Sequence, residues 1–153
     1  MGLMRPDQAP IGLELSRSAR GVGRAFDEAL ADAGGSLPVW LVLLNVKIQK
    51  DANQRRLADA VGLHGATLTY HLNAMEAEGL LARRRDPVNR RNHIVELTQA
   101  GEQAFTRLAA AARAFDRRLC AGLEPGELDT LRALLDRLCR NVGTEPQRAA
   151  PSA

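Results

Sequence analysis

Aromatic side chains are scarce in this chain: one tryptophan, one tyrosine and three phenylalanines amount to 3% of 153 residues. The core must then be chiefly Leu, Ala and Val, a composition that suits helices. Cysteine is nearly absent. Cys120 and Cys139 stand apart, without CxxC or Cys-His ligand spacing, so neither a disulfide framework nor a zinc pattern is present and both are expected to be structural. No apolar run approaches the roughly 20 residues that span a bilayer, and the opening MGLMRPDQAP carries no signal-peptide apolar core. A cytoplasmic protein without a membrane partner is expected. Catalytic patterns are missing too: there is no glycine-rich phosphate loop, no serine elbow and no pair of carboxylates framing a histidine. The chain does not read as an enzyme and requires no cofactor. His64 and His71 lie seven residues apart with no suitably spaced acid, so no metal site is expected.

What is present is enough for about one domain, with a core that needs neither disulfide nor metal. The net charge of +3 is mild, so its location matters more than its size. Nineteen of the 21 basic residues are arginine, a bias that genomic composition alone produces. Five of them, Arg83, Arg84, Arg85, Arg90 and Arg91, crowd one short stretch against the single acid Asp86, a local charge of +4.

The stretch from Gln54 to Gly101 is the most informative. QRRLADAVGL predicts a short helix with Leu57, Ala58 and Val61 on one face, closed by Gly62. Only Leu63 and His64 separate it from GATLTYHLNAMEAEG, where Leu68, Leu72 and Met75 recur at helical spacing before Gly79. LLARRR, the turn-forming DPVNRRN and the alternating HIVEL then predict an antiparallel hairpin with arginines at its tip. Helix, tight turn, helix and hairpin in succession make a winged helix-turn-helix.

The joint spacing of these motifs resembles the MarR family of bacterial transcriptional regulators. It rests on Leu57-Ala58 of the first helix, Met75-Glu76 with Gly79-Leu80, Arg83 with Asp86-Pro87, Arg90-Arg91 and Leu97-Thr98 with Gly101. The fold class expected is mainly α with a small two-stranded β-wing, the winged helix-turn-helix being flanked by N- and C-terminal dimerisation helices. The resemblance implies a sequence-specific, homodimeric DNA-binding regulator. Repression of a pseudo-palindromic operator, relieved by a small lipophilic or aromatic effector, is the family default. Some relatives sense oxidants through a cysteine in the N-terminal helix, and this chain has none there.

Outside the head, Leu15, Ala19, Val22, Phe26 and Leu30 form a helical stripe. Thr98 can cap a long helix carrying Phe105, Leu108, Ala112, Phe115 and Leu119, ended by Gly122. Pro125 suits the first turn of a last helix with Leu128, Leu131, Leu135, Leu138 and Val142. These seams serve core packing and a dimer interface in part each, and the resemblance implies interleaving across a two-fold axis. Dimerisation is expected through Leu15, Phe26, Phe115, Leu119, Leu128, Leu131, Leu135 and Leu138. The partition expected is 11–35 and 99–142 for these helices, 36–98 for the DNA-binding region, and disordered ends at 1–10 and 143–153.

Between them, LPVWLVLLNVKI, capped by Ser36, is apolar nearly all round and is expected to be buried. It carries Trp40, where the resemblance implies an effector pocket; the alternative is a plain packing residue. If Leu68, Leu72 and Met75 face inward, a step of about 100° per residue puts Ala66, Tyr70, Asn73 and Ala77 outward and Thr67, Thr69 and Ala74 on the flanks. Thr67 and Tyr70 are expected at bases or phosphates, Thr69 at a phosphate, and Asn73 at adenine if the helix enters the groove deeply. His64 stands where the family commonly has a Ser or Asp cap, so the start of this helix should be less firmly held. Arg91 is the candidate for the minor groove, with Arg90 and Arg83 to Arg85 on phosphates. Many members have an acid two residues before the wing arginine; Asn89 stands there, and a neutral hydrogen bond to the guanidinium replaces the ion pair. The competing reading is a winged helix that binds acidic protein partners.

Overall fold

The computed structural model describes residues 9–49 and 52–144. The expected disordered ends therefore lie, apart from residues 9–10 and 143–144, outside the described residues. Among the described residues, six helices and one hairpin follow in the order α1 (Ile11–Asp32), α2 (Leu37–Ile48), α3 (Gln54–Val61), α4 (Gly65–Ala77), β1 (Leu81–Arg85), β2 (His93–Leu97), α5 (Gln99–Leu119) and α6 (Pro125–Asn141). This is the mainly α winged-helix architecture expected from the motifs. The chain divides between Ala112 and Arg113, within α5, into two compact units.

In the first unit one apolar cluster holds the parts together. Leu30 of α1, Val42 and Leu43 of α2, Leu57 of α3, Leu68, Leu72 and Met75 of α4, Leu81 of β1, Val95 of β2 and Leu108 of α5 are all buried within it. Each apolar stripe thus meets the others along its own inward face. The stripe of α1 runs past this core: Leu30 is buried and Phe26 half-buried, but Val22 and Leu15 are exposed.

Ser36 caps α2 as expected, its Oγ accepting from the Val39 N–H at 3.5 Å. The burial of α2 is less complete than its composition implies. Val42 and Leu43 are buried, whereas Leu37 and Ile48 at its two ends are exposed, because the 12-residue helix outruns the core it crosses. The buried Asn45 satisfies its amide by donating to the Leu41 carbonyl at 2.8 Å.

The hairpin pairs Leu81 with Leu97 and Arg85 with His93 in antiparallel register. A third piece of chain joins it: the Val95 N–H donates to the Ala52 carbonyl at 2.9 Å, and Asn53 bridges to Ile94. The wing is thereby tied to the residues that lead into α3. Thr98 fastens the start of α5, its hydroxyl accepting from the Gly101 N–H at 3.1 Å and donating to the Gly79 carbonyl at 2.5 Å.

The second unit holds the end of α5 and all of α6. Phe115 is buried, with the Arg118 guanidinium 5.5 Å from its ring centre. Pro125 opens α6, and the Glu124 N–H donates to the Glu127 carboxylate at 2.9 Å, which caps the start of the helix. No residue of α6 is buried: Leu131, Leu134, Leu135 and Leu138 are exposed and Leu128 is half-buried.

Candidate nucleic-acid interface

Two short helices and a tight turn build the reading head. Gly62 ends α3 at φ 69°, a left-handed conformation that side chains disfavour, and so turns the chain within three residues into α4. Asn53 caps α3, accepting from the Arg56 N–H at 2.9 Å. His64 at the start of α4 makes no capping hydrogen bond through its side chain. That helix is steadied from elsewhere: Gln54 of α3 donates Nε2–H to the Thr69 hydroxyl at 2.6 Å, and Thr69 donates in turn to the Gly65 carbonyl at 2.8 Å.

The phase of α4 is the one its apolar spacing predicts. Leu68, Leu72 and Met75 are buried, and Ala66, Thr67, Tyr70, Asn73, Ala74 and Ala77 are exposed. Tyr70 keeps 70% of its surface in water, which leaves an amphipathic side chain open to a partner. His71 is half-buried and meets the Tyr70 ring edge-on at 5.4 Å. Thr69 differs from its outward neighbours, since its hydroxyl is engaged at both ends inside the head.

The five wing arginines separate into two groups. Arg83, expected on a phosphate, is bound within the chain to Glu76 of α4, through Nε at 3.0 Å and Nη2 at 2.5 Å, and its Nη2 also donates to Asn73 Oδ1 at 2.7 Å. Its backbone N–H donates to the other Glu76 oxygen at 3.3 Å. The Arg83 side chain holds the Glu76 carboxyl below the usual glutamate range, with partial desolvation acting the other way. Arg84 donates Nε–H to Glu96 across the strands at 2.9 Å. Among the described residues Arg85, Arg90 and Arg91 have no acid within ion-pair distance. Their charge is the part of the local excess available to an anionic partner.

The wing turn is closed by its own side chains. Asp86 Oδ1 accepts from the Val88 N–H at 2.8 Å, and the Asp86 N–H donates to the Asn92 carbonyl at 3.0 Å. Asn89 Oδ1 accepts from the backbone N–H of Arg91 at 3.2 Å. Asn89 therefore orders the backbone beneath Arg91, its bond going to the main chain and not to the guanidinium.

Trp40 is half-buried against the core and stacks on Phe105 of α5, ring centres 5.7 Å apart and planes 17° from parallel. Lys47 lies 5.7 Å from the centre of the same phenylalanine and pairs with Glu102 at 2.6 Å. A cleft of about 300 Å³ opens beside them, between the end of α2, β2 and the start of α5; it is lined by Val46, Lys47, Gln49, Val95, Leu97 and Glu102, among others, and not by Trp40. Among the described residues no three His, Cys, Asp or Glu converge on a metal-sized site, and no single helix is long and apolar enough to cross a membrane.

Residues 36–93 match the model of the MarR family. Over 84% of its length the chain is similar to a MarR-family transcriptional regulator from Rhodococcus sp. RHA1, with 28% identity, 91% of that chain covered and a TM-score of 0.72. A probable transcriptional regulator from Pseudomonas aeruginosa is 30% identical, over 86% of this chain and 97% of that one, at a TM-score of 0.72. CouR, a transcriptional repressor from Rhodococcus jostii RHA1, matches in two forms. Bound to a 23-mer DNA duplex it is 27% identical, with 86% and 93% of the chains covered and a TM-score of 0.77. Bound to p-coumaroyl-CoA it is 28% identical, with 86% and 95% covered and a TM-score of 0.74. By its buried and exposed pattern on α4, its arginine wing and these likenesses, the chain belongs to the MarR family of winged-helix, DNA-binding transcriptional regulators.

Proposed function

We propose that two copies of the chain bind a pseudo-palindromic operator as a repressing homodimer and leave it when a small lipophilic or aromatic molecule binds. The observation that carries the DNA reading is one hydrogen-bonded surface. Exposed Thr67, Tyr70 and Asn73 on α4 are joined through the Asn73–Arg83 bond to the hairpin that carries Arg85, Arg90 and Arg91. The first group has the donors and acceptors that base edges require, and the second has the charge that phosphates and a narrow minor groove attract. CouR bound to duplex DNA supports the same use here.

Dimer formation is supported by apolar side chains left in water. Leu15 and Val22 on α1, Leu119 at the end of α5, and Leu131, Leu135 and Leu138 on α6 are exposed in the single chain. Such stripes are interface candidates. Phe26 and Leu128, half-buried, and Phe115, buried, serve packing within the chain at least as much. The effector reading draws on CouR with p-coumaroyl-CoA and on the Trp40–Phe105 stack. A compound that releases DNA while quenching Trp40 would support it, and operator DNA should then weaken that compound by the same factor.

A gel shift with the DNA upstream of the chain's own gene tests the reading. A retarded band that survives excess random DNA and yields to excess upstream DNA is expected. Equal competition by both would remove sequence-specific regulation.

A further inference from the structure

Asn73 sits on the exposed face of α4, one turn beyond Tyr70, and its amide is not free to rotate. A guanidinium has donors only, so the group that Arg83 Nη2 meets at 2.7 Å must be the amide oxygen. Arg83 is itself held by three hydrogen bonds to Glu76, two from its side chain and one from its backbone. The direction in which the Glu76 carboxyl is perturbed keeps it ionised at neutral pH, so this anchor persists under ordinary conditions. Charge-assisted contacts of this kind are about twice as strong as neutral ones. The chain Glu76–Arg83–Asn73 therefore takes one lone pair of the Asn73 oxygen and holds that oxygen toward the wing, which turns the NH2 group of the same planar amide toward a partner.

That consequence alters which base this residue matches. Bidentate reading of adenine needs the amide oxygen to accept from N6 while the nitrogen donates to N7. With the oxygen held toward the wing strand, the amide cannot set its oxygen and nitrogen side by side against adenine and offers its NH2 donor instead, and the base edge richest in major-groove acceptors is guanine, with O6 and N7. We propose that Arg83 is a positioning residue that acts through Asn73: by holding the amide oxygen it makes Asn73 a reader of guanine in the major groove, in place of the adenine that an unconstrained asparagine prefers. The inference rests on the DNA-reading function proposed above.

The test is selection of bound duplexes from a randomised pool by the full chain and by its Asn73→Ala, Asn73→Asp and Arg83→Met variants. Wild type should enrich a motif in which one guanine, favoured about tenfold, loses its preference on Asn73→Ala. Asn73→Asp keeps the bond to Arg83 and so keeps the fold, but presents only acceptors. Cytosine, whose N4 amino group donates, should replace that guanine, with weaker binding overall. Arg83→Met frees the amide and should shift the same position toward adenine. The inference is overturned if wild type places adenine there and Arg83→Met leaves it unchanged. It is equally overturned if both Asn73 variants weaken every sequence alike, which would make Asn73 a phosphate contact. A wild type that enriches no motif would remove DNA reading itself, whereas an enriched motif indifferent to these variants removes only the role of Arg83 and Asn73.

Discussion

Gly101 lies against the carbonyl of Leu80 so closely that a Cβ at residue 101 would stand 1.9 Å from that oxygen. The same carbonyl accepts from the Thr98 N–H at 3.1 Å, and Thr98 caps the turn in which Gly101 sits. Backbone meets backbone here, so no side-chain rotation relieves the clash. Gly101→Ala should therefore lower stability by about 3 kcal/mol, at the upper end of ordinary overpacking. Urea unfolding followed by circular dichroism measures it; a change below about 0.5 kcal/mol, typical of neutral surface positions, would contradict the geometry.

The apolar face of α6 predicts a second outcome. Leu131→Asp and Leu135→Asp replace side chains already exposed in the single chain, so the fold should survive. If α6 forms an interface, sedimentation should move from dimer to monomer at micromolar concentration. Specific DNA binding should fall with it, because a single head makes half the contacts of two heads set about one helical turn apart. A dimer undisturbed by both charges would place the interface on other helices.

Glu76 gives a pH dependence of known sign. Its carboxyl is held below the usual range by the Arg83 bond, so the pair contributes stability that is present above the unfolded-state pKa of glutamate and is lost as pH falls through the lower folded-state value. Glu76→Gln removes that contribution. The melting temperatures of wild type and variant should differ at neutral pH and converge in acid. A difference that stays constant into acid would mean that the pair does not form in solution.

The phase of α4 was legible because Leu68, Leu72 and Met75 recur at one spacing, and burial of three fixes the direction of the rest. The caps at Ser36 and Thr98 were legible for a similar reason, as both are local. The sorting of the wing arginines was not. Arg83 finds Glu76 only once β1 lies against α4, and Arg84 finds Glu96 only through the hairpin register. Sequence spacing counts charges but does not pair them. The Trp40–Phe105 stack and the Ala52–Val95 bond likewise join residues far apart in the chain. The position of an acid in relatives points Asn89 at the guanidinium of Arg91, whereas its bond to the Arg91 N–H follows from the turn.

The division of labour between helix and wing is the centre of the account, and the affinity of Arg90→Ala and Tyr70→Ala across a salt series tests it most directly. Arg90 has no acid near it among the described residues, so its removal should weaken selected and random duplexes alike and reduce the slope of log affinity against log salt by about 0.9, one phosphate's worth. Arg84→Ala, which removes a cation already paired with Glu96, should change the slope less. Tyr70→Ala should leave the slope alone and cost about 1–3 kcal/mol on the selected duplex with little effect on random DNA. If Arg90→Ala leaves the slope unchanged and Tyr70→Ala leaves discrimination unchanged, neither surface touches DNA and the proposed function is contradicted.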